Sequence, residues 1–362
     1  MKLLIGADLV PTATNEHLFI AGDADALFGK VVDVAKKADR VMINLELALT
    51  RHDGKIRKFG PNLKADPDCV NGYKALGVTD AFLSNNHVFD YGKQGLIDTE
   101  AALTAAGIGY TGVGKNDTDS RKPYFIEAEG GKRIGFINVC EHEYTYATPD
   151  RMGANPFDPF LTMQDIREAK KQCDYLVVIY HGGKEYCRYP SPRLYNLSHE
   201  MVLCGADAVI AQHSHCIGAY ELFEGGHIVY GQGNFNFAFE NYKRPECWYT
   251  GVLVELDTED KSYIKFYPTY ETAKGCDLAE GERAKEIMDG FEKRSAEMLD
   301  GSWRDGWHAF CTDPEREYYH RAISGVVDGE EGIQKFAHYL DCEAHTDVWR
   351  ELYPTWNMTN EL

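Results

Sequence analysis

Metal-type side chains recur at one kind of place in this chain, directly after a short apolar run. Asp8 follows residues 3–7, Glu46 follows 41–45, and His87 comes just after 80–84. His181 closes the run 175–180, and His213 and His215 come just after 208–211. Such runs read as buried strands. In an open α/β sheet, ligands bind outside the carboxyl ends of the strands. Acids and imidazoles from several strands would then meet on one rim and hold one or two divalent ions.

Local patterns add detail. Asn85-Asn86-His87, followed by Asp90-Tyr91-Gly92, gathers polar groups where a sheet turns. A capping turn would use the same residues. In extended backbone, His213 and His215 at i and i+2 point to one side. Asn44 and Glu46 share a strand face, and a buried acid there needs a partner, for which a metal is the natural choice. His181-Gly182-Gly183-Lys184-Glu185-Tyr186 has glycines that let backbone or ligand approach. Lys184 could face an anionic substrate, and Glu185 is expected to orient His181 from behind. Glu141, His142 and Glu143 end another strand and offer a further ligand or base, although acids in that position are more often solvated. Gly231 to Phe235 reads as a tight turn with a polar tip.

These side chains must be carried by a sizeable scaffold. The chain has 362 residues, 44% of them apolar and 26% charged, which suits one large or two smaller soluble domains. A net charge of −19 opposes nucleic acid and anionic membranes as partners. No run is long and apolar enough for direct membrane insertion, and no signal peptide is recognised, so a cytoplasmic location is expected. Ten cysteines without a Cys-x-x-Cys pair read as reduced core side chains.

To about residue 220, strand-like and helix-like segments alternate, the mark of a parallel or mixed sheet covered by helices. Helices are expected over 25–37, from Asp66-Pro67 to Gly77, and over 93–106, 162–172 and 192–203. Hairpins are expected around Gly130-Gly131 and Gly225-Gly226. Strands over 249–256 and 263–267 complete the fold in antiparallel fashion, as a possible second sheet. Helices over 281–299, 313–326, 329–340 and 346–352, with Trp303, Trp307, Trp349 and Trp356, form an appendix that packs on the main domain or on another subunit.

The ordered set Gly6-Ala7-Asp8, Asn44-Leu45-Glu46, Asn85-Asn86-His87 with Asp90-Tyr91-Gly92, His181 to Tyr186, His213-Ser214-His215 and Gly233-Asn234-Phe235 resembles the CapA-type proteins of poly-γ-glutamate capsule synthesis, within the calcineurin-like metallophosphoesterase superfamily. That resemblance implies an α/β fold, a four-layer αββα sandwich over 1–272, with 273–362 as a C-terminal helical extension. It implies Asp8, Glu46, Asn86, His181, His213 and His215 as metal ligands, with Glu46 bridging. It implies His87 as the general acid, with Asp90 and Glu185 beside it in the catalytic set. Some positions depart from the family pattern. Val10 stands where phosphoesterases carry a histidine. Gly182 replaces a tryptophan, and Ala211-Gln212-His213-Ser214-His215 replaces Gly-x-His-Pro-His. The N-terminal membrane anchor of many CapA proteins is not seen here.

The first functional reading is a metal-dependent hydrolase using one or two of Mn, Fe, Zn or Mg on a phosphoester or a γ-glutamyl amide. A second is a non-hydrolytic component of poly-γ-glutamate synthesis or export. A third is a metal-free acid/base enzyme, of isomerase or epimerase type, in the same cleft. The expected partners are a small-molecule, peptide or polyglutamate substrate and a second copy of the chain through the C-terminal helices.

Overall fold

The computed structural model describes residues 1–141, 144–239, 243–314 and 318–353. Two sheets lie face to face. The first runs, in spatial order, Cys276–Leu278, Ile264–Glu271, Thr250–Asp257, Lys2–Leu9, Arg40–Leu45, Asp80–Phe82 and Gly109–Thr111, with Asn234–Asn236 paired to the end of Lys2–Leu9. The second runs Tyr220–Phe223, Gly226–Val229, Ala208–Gln212, Tyr175–His181, Arg133–Cys140 and Tyr124–Glu127. Lys2–Leu9, Arg40–Leu45 and Asp80–Phe82 are parallel, and so are Arg133–Cys140, Tyr175–His181 and Ala208–Gln212. Their carboxyl ends therefore share one end of the sandwich.

Period-2 alternation sorts each strand between two layers. Tyr175, Val177 and Ile179 pack between the sheets with Leu3, Ile5, Met42 and Phe82. Leu176, Val178 and Tyr180 point the other way, against Met163, Ile166 and Met201 of the helices Pro159–Lys170 and Pro192–Leu203. Across the first sheet, Val41 and Ile43 meet Phe19, Phe28, Tyr73 and Leu96. The result is the helix–sheet–sheet–helix order that the family resemblance implied. Each fully buried side chain of this kind contributes about 1.5–3 kcal/mol. A charge at Val177, between the sheets, would break the stack.

Helix starts follow the chemistry of the sequence. The Asp158 carboxylate accepts from Phe160 N and Leu161 N, both at 2.9 Å, and Pro159 fills the first helical position. At Asp66-Pro67 the chain forms a short 3-10 turn, Pro67–Cys69, that leads into Val70–Leu76 and ends at Gly77.

Three expectations need correction. Residues 25–37 are not one helix but Ala24–Phe28 and Val31–Ala35, preceded by Glu16–Ala21. The break is Gly29, at φ +46°, where a Cβ would stand 2.4 Å from the Asp277 carboxylate. Strands Thr250–Asp257 and Ile264–Glu271 build no new sheet; they extend the first one, antiparallel to Lys2–Leu9. The helix expected over 313–326 is described over Tyr318–Ser324, and the helix Trp303–Thr312 before it was not expected. Trp303, Trp307 and Cys311, one turn apart, give Trp303–Thr312 its buried face.

The further helices Gly281–Asp300, Glu330–Asp341 and Glu343–Leu352 complete the C-terminal part. Trp303, Trp307, Tyr319 and Val348 join the outer core of the second sheet. Trp356 lies outside the described residues. None of the ten cysteines is in a disulfide, and all except Cys173 are buried. Among the described residues, no helix is long and apolar enough to cross a membrane.

Candidate metal centre

The side chains come from the rims of two sheets, where the strand pattern alone suggested one. Asp8 and Glu46 leave the first sheet; His181, His213 and His215 leave the second. Asn44 ties the rims together. Its Nδ2 donates to Asp8 Oδ1 at 2.7 Å and lies 3.2 Å from His181 Nδ1. Its Oδ1 accepts from Asn85 Nδ2 at 3.1 Å. On the other side of the ring, His181 Nε2 is 2.9 Å from Asn86 Oδ1 and 3.4 Å from Glu46 Oε1.

Three overlapping sets form: Glu46, His181 and His213; Asp8, Glu46 and His215; and Glu185, His213 and His215. In each set the donor atoms lie within 4.8 Å of one another. Glu46 belongs to two of them. Asp8 Oδ2, both Glu46 carboxylate oxygens and His213 Nδ1 are buried and make no well-formed hydrogen bond among the described residues, although His215 Nδ1 stands 3.3 Å from Asp8 Oδ2. Buried polar atoms ordinarily find one, so these four mark a place shaped for something that accepts lone pairs.

Burial and the charge on Asp8 push the Glu46 carboxyl well up. Burial would raise Asp8 as well, but His215, His181 and Asn44 hold it below its ordinary value. Burial pulls His181 down to about 4 and His213 to about 3, which leaves both as neutral imidazoles. Burial opposes the charging of His215, yet Asp8 and Glu46 raise it to about 9. In the metal-free site, a proton on His215 thus supplies part of the positive charge the acids demand.

The paired histidines reach the centre by a different backbone from the extended one expected. His213 has φ +90° and His215 φ +52°, both left-handed, and their rings lie 5.9 Å apart. Such conformations cost non-glycine residues energy and gather at functional sites. Asn234 Oδ1, 2.9 Å from His215 Nδ1, fixes the second ring. Trp248 covers it at 4.5 Å between centroids.

His87 stands on a separate arm. Its Nδ1 is 2.7 Å from Asp90 Oδ2. Lys58 Nζ lies 2.5 Å from Asp90 Oδ1, and Leu63 N donates to Oδ2 at 2.6 Å. Burial and the Lys58 charge pull His87 down to about 4.

Glu185 does not orient His181, since no hydrogen bond joins them. The turn through Gly182-Gly183 carries it instead to His213 and His215. Burial would raise its carboxyl, but Lys184, His213 and His215 bring it down to about 2. Glu141 is no ligand here. It accepts from Tyr180 OH at 2.7 Å, Gly183 N at 2.8 Å and Arg193. His142 and Glu143 lie outside the described residues. Val10, where a histidine was looked for, is buried in the apolar core.

Sequence reasoning missed Lys58, which sits in a loop with no pattern, and the wall of the cleft. A cavity of about 420 Å³ lies over His87, His213 and Glu185. Its far wall is His338, Tyr339, Cys342, Ala344 and His345, from the C-terminal helices. Only the amphipathic character of those helices hinted that they pack on something.

Comparison with known proteins gives the chain a family. Residues 3–238 match the family model of the bacterial capsule synthesis protein PGA_cap. The capsule biosynthesis protein CapA of Bacillus anthracis is 32% identical over 222 residues, 59% of this chain and 54% of that one. The PGA biosynthesis protein CapA of Bacillus subtilis is 31% identical over 218 residues, 59% and 57% of the two chains. A probable polyglutamine synthesis accessory protein of Mycobacterium tuberculosis is 29% identical over 211 residues, 54% and 55% of the two chains. The chain thus spans just over half the length of the curated relatives it matches. This chain belongs to the PGA_cap family of bacterial capsule synthesis proteins, the CapA-type group within the calcineurin-like superfamily that its strand-end motifs resemble.

Proposed function

We propose that the chain is a metal-dependent hydrolase acting on a phosphoester or a γ-glutamyl amide bond of an anionic substrate. The observation that carries this reading is the set of four orphaned donor atoms on Asp8, Glu46 and His213. Asp8, Glu46 and His215 would hold one divalent ion, and Glu46, His181, His213 and Asn86 a second, with Glu46 facing both. The imidazole-rich set suits Mn, Fe or Zn better than Mg, which prefers oxygen. Bound cations would activate a water and clamp the reacting oxygen.

The chain's own groups do the rest. Asp90 holds the His87 ring by Nδ1, which leaves the opposite nitrogen to serve the leaving group. His87 is neutral in the free site, and an anion arriving beside it raises its proton affinity, the direction a general acid needs. Lys58 and Lys184 line the cavity and offset the negative charge of the chain as a whole. The space continues past Phe59 and His338 into a second cavity of about 400 Å³ that bears Arg57, room for an extended substrate. In this reading residues 1–272 carry the chemistry, the helices of 273–362 wall the cleft, and the chain with its buried, unbridged cysteines works in the cytoplasm.

The test is metal content by mass spectrometry after Mn supplementation, with assays on p-nitrophenyl phosphate and γ-glutamyl peptides. His87→Asn should keep the metal and lower kcat by about 10²–10⁴. Protein that retains no metal, or activity that survives exhaustive chelation, overturns the proposal. A second reading, a non-hydrolytic role in polyglutamate synthesis, is favoured by the names of the relatives and by the basic cavity. It predicts polymer binding without turnover.

A further inference from the structure

Away from the metal centre, a cavity of about 620 Å³ opens between the helix Gly281–Asp300, the start of strand Thr250–Asp257 and the segment after Tyr186. Arg188 and Arg294 both line it. Arg294 is only 8% exposed. Its Nε donates to Gly218 O at 2.8 Å, and its terminal nitrogens make no hydrogen bond among the described residues. Burial, and then repulsion from Arg188, pull its guanidinium down to about 10.

Neither arginine is in an ion pair with a described carboxylate. The nearby Glu297 is already taken by Tyr189 OH at 2.6 Å. Acids do border the cavity. Glu246 and Glu286 are exposed at its mouth, with Arg283 stacked on Tyr270 at 3.6 Å. Glu271 has a buried Oε2 without a partner, and burial pushes its carboxyl up to about 7. The cavity is therefore lined both by two guanidiniums without an ion-pair partner among the described residues and by the carboxylates of Glu246, Glu271 and Glu286. A buried cation without a counter-charge is costly; Arg294 is one, and the half-buried Arg188 lines the same cavity.

We propose that Arg188 and Arg294 form a carboxylate-binding site for a small amino acid, distinct from the metal centre. The planar fork of a guanidinium matches a carboxylate. Glu271 and Glu286, which also line the cavity, would take the ammonium group, and the acids at the mouth disfavour a dianion such as phosphate. The site does not depend on the hydrolase reading, because none of its residues belongs to the metal centre.

The test uses the full chain in chelator, so that no bound cation can capture anions. L-Alanine and L-glutamate are titrated by calorimetry and thermal shift, with glutarate and inorganic phosphate as anions that lack the ammonium. At least one amino acid should bind and raise Tm. Arg188→Gln should bind it about tenfold more weakly or worse. Arg188 has no hydrogen-bond or ion-pair partner to lose among the described residues, so this variant without ligand should melt no lower than the parent, as relief of repulsion requires. Arg294→Gln should also lose binding; Arg188→Gln carries the test if that variant fails to fold. The proposal fails if neither amino acid binds, if Arg188→Gln binds as well as the parent, if the unliganded variant melts lower, or if phosphate or glutarate binds more tightly than both amino acids.

Discussion

Glu46 and Glu141 are both buried acids at the ends of parallel strands, one from each sheet, and their surroundings are opposite. Glu141 accepts from Tyr180, Gly183 and Arg193. Burial would raise its carboxyl, but Arg193, Gly183 and Tyr180 hold it below its ordinary value. Glu46 has no donor on either oxygen, and burial with the Asp8 charge pushes it well up. A strand-end acid is thus defined by its donors and not by its position. The saturated one is a structural tether: Arg193 also pairs with Asp347 at 2.9 Å, and Ser191 OH donates to that carboxylate at 2.6 Å, so the helix Glu343–Leu352 is fastened to the rim.

The sharpest way to break this contrast is Glu46→Gln. It should abolish metal retention by mass spectrometry, yet leave the chelated protein within about 1 kcal/mol of the parent in urea unfolding, because burial and the Asp8 charge already push the Glu46 carboxyl towards its neutral form and no hydrogen bond is lost. Loss of stability in the chelated variant would erase the distinction. Next is Arg193→Met, which leaves Glu141 and Asp347 without their cation. We expect a cost of about 3–5 kcal/mol and faster hydrogen exchange in Glu343–Leu352, with metal still bound.

Asn44→Ala removes the amide that orients Asp8 and His181, and metal affinity should fall about 10–100-fold in competition with a chelator. The acid limb of stability sharpens the comparison further. Glu141 has a depressed folded pKa, so its contribution is present above the ordinary value of 4.5 and is lost as pH falls through the lower folded value. Urea midpoints between about pH 6 and about pH 3 should therefore drop more for the parent than for Arg193→Met. The smallest effect is expected for Lys184→Gln, a roughly two- to fivefold rise in KM for an anionic substrate with kcat kept.

Much of the centre was legible because a metal site at strand ends leaves a local signature: an apolar run, then an acid or imidazole. Asp8, Glu46, His181, His213 and His215 all carry it; Asn86 was named only through the family resemblance. The four layers were legible once the ordered motifs suggested a family; alternation alone indicated a sheet covered by helices. What stayed hidden depends on contacts distant in sequence. Nothing near Lys58 says that it will meet Asp90, and nothing near His338 or His345 says that they will face His213 across a cavity. The left-handed turns at His213 and His215 were also invisible, since neither residue is a glycine. The single helix expected over 25–37 failed at Gly29 because a carboxylate from residue 277 occupies the space of a side chain.

The pairing of Thr250–Asp257 with Lys2–Leu9 bears on how this protein can be cut. The family match stops at residue 238, but Val254 and Leu256 fill the layer between the sheets. A fragment trimmed to the match would leave the first strand with a bare edge and a hole in its hydrophobic interior. Such a truncation should aggregate, and its failure would reveal nothing about chemistry; the shortest piece worth expressing runs past Leu278.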